Sequence, residues 1–155
     1  FVPLVAGAFV GEHSFSSPAT PIAVGRPDAT DLTRAEHFGR LIRERLRAME
    51  EGAVFSGLVV PGNVPYRERS AGSARAPVSR EDVCVRCGQC ATVCPVAAIR
   101  VTETVETDSE VCIQCCACLR ACPTEARTMA DPHVLAIAQR LTKNCATRRE
   151  PELFL

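Results

Sequence analysis

CVRCGQCATVCP at residues 84–95 and CIQCCACLRACP at residues 112–123 decide the reading of this chain. Both have the form C-x2-C-x2-C-x3-C-P, and each cysteine and proline of the second stands 28 positions beyond its counterpart in the first. Nine of the 10 cysteines fall between 84 and 122, and the tenth is Cys145. A secreted disulfide scaffold spreads its cysteines along the chain, whereas this crowding points to a metal site. Zinc sites use C-x2-C pairs separated by longer spacers. The compact double run therefore argues against a zinc ribbon.

The run resembles that of the bacterial-type 2[4Fe-4S] ferredoxins, and residues 80–130 look like that domain. The resemblance implies two cubane clusters, with the last cysteine of each run ligating the other cluster. It assigns Cys84, Cys87, Cys90 and Cys122 to one cluster, and Cys94, Cys112, Cys115 and Cys118 to the second. A cubane needs four thiolates converging from a tetrahedron, and small residues such as Gly88 and Ala117 let the backbone fold close to it. A module of about 50 residues has too little core to be comfortably stable, so two clusters that tie its halves together act as staples. Pro95 and Pro123 are expected to open short helices at 96–99 and 124–127, whose N–H groups would face the anionic clusters. Residues 99–110 (IRVTETVETDSE) read as extended chain or a hairpin.

The remainder divides by composition. Residues 1–60 look like α/β material, 61–79 (three Pro, two Gly) like a linker, and 131–155 like a helix and tail. Residues 1–10 (FVPLVAGAFV) read as a buried strand. Residues 30–51 read as a helix capped by Thr30 or Asp31 and ended by Gly52, with Ala35, Phe38, Ile42, Leu46 and Met49 on one face. Residues 132–144 read as a second helix, capped by Asp131, with Val134, Leu135, Ile137, Ala138 and Leu141 on one face. The tail docks on a neighbour or frays.

Residues 7–16 (GAFVGEHSFS), 21–28 (PIAVGRPD), the helix through 38–46 and the tail 149–155 (REPELFL) resemble flavodoxin–ferredoxin fusion proteins. That resemblance implies that residues 1–60 are the last strand and helix of a flavodoxin-like domain. In that family the flavin loops precede the last strand, so FMN is not expected in this chain, though a full-length parent could hold it. The expected fold class is α+β, a ferredoxin-like 2[4Fe-4S] module preceded by a partial flavodoxin-like α/β segment. The chain begins with Phe rather than Met and is read as a fragment or processed product.

Lys plus Arg and Asp plus Glu are both 18, with one Tyr and no Trp, which argues against a nucleic-acid binder. No apolar run reaches membrane-spanning length and no signal-peptide pattern is present, so a cytoplasmic location is expected. His13, His37 and His133 are isolated, and no nucleophile motif surrounds them. Cys116 is a small buried residue or a redox-sensitive thiol, and Cys145 a free thiol. Residues 78–130 hold five Arg against seven acids, four of them Glu103, Glu106, Asp108 and Glu110, which keep a hairpin soluble or steer a basic redox partner. Eight motif thiolates leave no open iron for substrate, so the expectation is an electron carrier, not an enzyme. Its partner would be a redox protein or a flavin domain. Alternatives are a relay inside a larger flavin-containing oxidoreductase and a structural or redox-sensing cluster domain.

Overall fold

The structure is a computed structural model that describes residues 3–55, 57–68 and 74–155. Its elements, in chain order, are β1 (Ala6–Ala8), α1 (Ala29–Glu50), β2 (Val78–Ser79), α2 (Gln89–Thr92), β3 (Ile99–Val101), β4 (Val105–Thr107), α3 (Ala117–Arg120), β5 (Arg127–Thr128), α4 (Pro132–Asn144) and β6 (Glu152–Phe154). They fall into two units that are discontinuous in sequence. One comprises Phe1–Glu12, Ala23–Arg69 and Thr147–Leu155, the other His13–Ile22 and Ser70–Ala146. The expected divisions were contiguous blocks; here the tail joins the N-terminal unit because it supplies a strand to it.

In the first unit β1 and β6 pair antiparallel, Ala6 opposite Phe154 and Ala8 opposite Glu152. The strand expected over residues 1–10 is thus only three residues long and half exposed, because the tail strand that pairs with it is equally short. Residues 1 and 2 lie outside the described residues. A Cβ at Gly7 would stand 3.1 Å from the Phe38 ring, so its bare backbone is what admits that ring of α1. The helix starts one residue earlier than expected and its cap is Asp28, which accepts from the N–H groups of Thr30 and Asp31. Asp31 reaches back to the Asp28 N–H at 2.8 Å, completing a capping box. Gly52 (φ +94°) ends α1 in a Schellman motif, with Gly52 N–H on the Met49 carbonyl and Ala53 N–H on Ala48.

Asp31 is buried and pairs with both Arg26 and Arg148. The Arg26 guanidinium holds its carboxyl down at about 2. Among the described residues of this unit Pro151 is the one buried apolar residue, and the helix α1 stays partly wet, Leu46 at 45 % and Leu32 at 58 % exposure. Charge and capping, more than a core, order this end of the helix.

The second unit is built on the 28-residue repeat. β3 and β4 form the anticipated hairpin, Ile99 opposite Thr107 and Arg100 opposite Glu106. β2 and β5 pair in the same way, Ser79 opposite Arg127 and Val78 opposite Thr128, which is the hairpin pairing displaced by the repeat. Residues 78–79, expected as linker, are therefore strand. Asp108 N–H binds the Ala98 carbonyl at 2.8 Å, and Arg80 N–H binds Ala126 at 2.8 Å. These are repeat-equivalent bonds, each running from one half to the other.

Most of the buried residues here are small, including Ala98, Ala126, Cys90 and Cys118. The helices expected at 96–99 and 124–127 do not form. Their place is taken by turns, because Ala97 and Glu125 both adopt φ +52° and break helical continuation before β3 and β5. The short helices lie inside the cysteine runs instead, as α2 and α3. α4 runs as expected, with Asp131 accepting from His133 and Val134 N–H. It buries Val134 and Ala138, while Leu135 stays exposed.

Candidate metal centre

The eight motif cysteines sit on corresponding structures in each half. Cys90 and Cys118 are carried by α2 and α3 and are buried, Cys87 and Cys115 are exposed, and the remaining four are intermediate. The structure brings Cys84, Cys87, Cys90 and Cys122 around one small cavity. It brings Cys94, Cys112, Cys115 and Cys118 around another. Of the motif cysteines, each cavity thus has three from one run and one from the other, and Cys116 also lines the second. Among the described residues no three His, Cys, Asp or Glu side chains are grouped to hold a single metal ion.

The backbone around these cavities repeats as closely as the thiols. Arg86 and Gln114, Gly88 and Cys116, and Ala97 and Glu125 are pairs at the 28-residue offset, and all six lie at positive φ between 52° and 78°. Left-handed residues next to right-handed ones turn successive N–H groups to one side, which makes anion-binding concavities. Holding non-glycine residues there costs of order 1–3 kcal/mol each. Two of the donors aimed at sulfur are resolved, Ala98 N–H on Cys94 Sγ at 3.3 Å and Ala126 N–H on Cys122 Sγ at 3.2 Å. The expected N–H···S bonds therefore exist, supplied by the turn after each Cys-Pro, not by a helix terminus.

The thiols feel this setting. Burial pushes the Cys122 thiol up, but N–H groups of Arg127, Thr124 and Ala126 and the Thr124 hydroxyl outweigh it, leaving it below its ordinary value. Burial raises the Cys118 thiol, opposed by the Arg127 guanidinium. Small cavities, eight thiols in two mixed sets and inward N–H donors suit thiolate-ligated iron–sulfur clusters, whose sulfurs accept such hydrogen bonds.

Cys116 lines the second cavity beside the motif cysteines, and the other candidates separate from the site. Cys116 is 3 % exposed, its Sγ lies 3.6 Å from the Gln114 carbonyl, and burial first, then the neighbouring thiols, push it up to about 11. Cys145 caps the C-terminus of α4 and is exposed. His13 Nδ1 accepts the Phe15 N–H at 3.0 Å, and His37 and His133 are exposed. Glu103, Glu106, Asp108 and Glu110 are all exposed around the β3–β4 hairpin.

One residue had not been singled out: Arg127, buried in β5 beside the thiols. The signal was in the repeat, in which its counterpart is the apolar Ile99.

Among the described residues no helix is long and apolar enough to cross a membrane. No curated protein matches the chain. The family of 4Fe-4S binding domains matches it twice, at residues 77–100 and 105–128. Both matches contain one full cysteine run, and they start at β2 and β4, the repeat-equivalent strands. Residues 77–128 thus form a ferredoxin-type 4Fe-4S domain of small mixed α+β build, a domain type whose clusters serve electron transfer.

Proposed function

We propose that this chain is an electron carrier with two [4Fe-4S] clusters, one held by Cys84, Cys87, Cys90 and Cys122 and the other by Cys94, Cys112, Cys115 and Cys118. The observation that supports it is the mixed lining of the two cavities, three motif cysteines from one run and one from the other. When bound, each cluster supplies one-electron chemistry, taking an electron from a reduced donor and passing it to an oxidised acceptor as its core alternates between 2+ and 1+. The chain's own residues hold and tune. Cys94 and Cys122 cross between halves, and the N–H groups of Ala98 and Ala126 stabilise negative charge on them. With four thiolates per cluster there is no open coordination position, so the chain is a carrier and not an enzyme. The exposed acids around the β3–β4 hairpin suit a basic face on the redox partner.

A second reading makes the module a relay inside a larger flavin-containing oxidoreductase, with the N-terminal unit belonging to a flavodoxin-like domain. The partly exposed apolar stripe of α1 favours it, since Leu32, Leu46 and Met49 form a surface that a larger domain would cover. Flavin co-purifying with the full-length protein would support this reading. A sensing role has less to rest on, because the Cys116 thiol is buried at 3 % exposure.

The test is an anaerobic redox titration of the reconstituted chain followed by EPR and optical absorbance. Reversible uptake of one electron per cluster is expected. Irreversible loss of colour on reduction would contradict the carrier reading and favour a structural one.

A further inference from the structure

Arg127 is 4 % exposed and, among the described residues, is the only buried cation. Its Nη1 donates to Ser79 Oγ at 2.8 Å. Its Nη2 donates to Thr107 Oγ1 at 2.6 Å and to the Pro77 carbonyl at 3.1 Å, and stands 4.0 Å from Cys118 Sγ. All the oxygens it binds are neutral. No carboxylate among the described residues pairs with it, and its buried Nε has no partner. A buried guanidinium without a counter-ion is unfavourable, so an anion is expected beside it.

The surroundings say which anion. Arg127 lines the cavity of Cys84, Cys87, Cys90 and Cys122, while Cys118, the thiol its Nη2 approaches, belongs to the other. Ser79 and Thr107 are themselves related by the 28-residue offset, so the guanidinium bridges the two halves at equivalent hydroxyls. Its own equivalent, Ile99, lines the second cavity and is apolar. The repeat is broken at this one pair by a buried positive charge. Four thiolates around a 2+ core leave each cluster at −2, and reduction takes it to −3. Cluster potential follows net charge and hydrogen bonds to sulfur, and a charge in a poorly solvated interior is screened less than one at the surface, so it acts on both sites.

We propose that Arg127 is the fixed counter-charge shared by the two clusters, and that it makes both easier to reduce. This rests on the two-cluster reading above. Arg127 holds no iron and transfers no electron; it sets the electrostatic level at which an external donor delivers one.

The experiment compares Arg127→Met and Arg127→Gln, which remove the charge, with Arg127→Lys, which keeps it without the fork. Iron and sulfide are counted per chain, and both midpoint potentials are read by EPR-monitored titration with dithionite. The neutral variants should load both clusters and make each at least about tenfold harder to reduce, a shift of about 59 mV to lower potential for a one-electron couple. Arg127→Lys should stay nearer the parent. If only the lysine variant loads, the charge is required for assembly, which also supports the proposal. Neutral variants that load with unmoved potentials would overturn it, leaving Arg127 as a brace. A shift confined to one cluster would overturn the sharing. Failure of all three variants to load would overturn it too, since charge alone would then not suffice. Failure of the two-cluster reading looks different: the parent chain itself would lack sulfide.

Discussion

Replacing Cys122 with alanine removes the thiol that crosses from the second run into the cavity of the first. The account predicts loss of the cluster among Cys84, Cys87 and Cys90, although Cys122 belongs to the other run. The thermodynamic cost can be set from the chain the crossing closes. From Cys90 to Cys122 the chain advances 32 residues. Treated as a cross-link, closing such a loop restricts the unfolded chain by about 3.7 kcal/mol. The opposite crossing, between Cys94 and Cys112, closes 18 residues, for about 3.2 kcal/mol. Cys122→Ala should therefore destabilise the loaded module slightly more than Cys94→Ala, by roughly half a kcal/mol in anaerobic denaturation, beyond the metal–ligand energy lost in both.

The decisive assay is iron counting on double variants. If the sets are crossed, Cys87→Ala with Cys122→Ala strikes one cluster twice and leaves about four irons. Cys115→Ala with Cys122→Ala strikes both and leaves none. The reverse pattern, with the 115/122 pair retaining a cluster and the 87/122 pair losing both, would refute the crossing.

Cys116→Gly should keep both clusters and change stability by no more than about 1 kcal/mol. Glycine occupies the equivalent left-handed position at Gly88, and relief of the φ 58° backbone offsets the lost side chain; iron content and a denaturation midpoint check it, and loss of a cluster would show Cys116 to be a ligand. Asp31 makes the N-terminal unit acid-sensitive. Its folded carboxyl sits at about 2 against 3.8, so its contribution is complete above about pH 4 and disappears as pH falls through 2. Hydrogen exchange over α1 should rise in that window, and in Asp31→Asn it should already be raised at neutral pH; equal protection of the two at neutral pH would contradict this. Asp131→Ala removes the cap of α4 and an ion pair with Arg75 at 3.1 Å, and should cost about 1 kcal/mol, measured by denaturation of the loaded protein.

Much of the site was legible because the cysteines carry it in the one-dimensional spacing. The offset of 28 is visible without any structure, and it contains the β3–β4 hairpin in residues 99–110. The same offset maps that hairpin onto Val78–Ser79 with Arg127–Thr128, yet the pairing was missed. Two-residue strands are too short to show a period, and the Pro and Gly before them read as linker. The short helices were misplaced because Pro95 and Pro123 are good helix starters, while the left-handed turns that follow fall on Ala97 and Glu125, whose side chains do not announce them. In residues 1–10 composition suggested a buried strand, but strand length was set by a distant partner, the tail at Glu152–Phe154. Arg127 counted only as one more charge until burial and the mismatch with Ile99 distinguished it.

The most direct test is iron and acid-labile sulfide per chain, on protein made and kept anaerobic, with an EPR spectrum after dithionite. The account predicts about eight irons and eight sulfides, matching two cubane clusters in the two cavities, with a reduced spectrum that disappears on reoxidation and returns on reduction. About two zinc ions per chain with no sulfide would contradict it and make the module a structural metal domain.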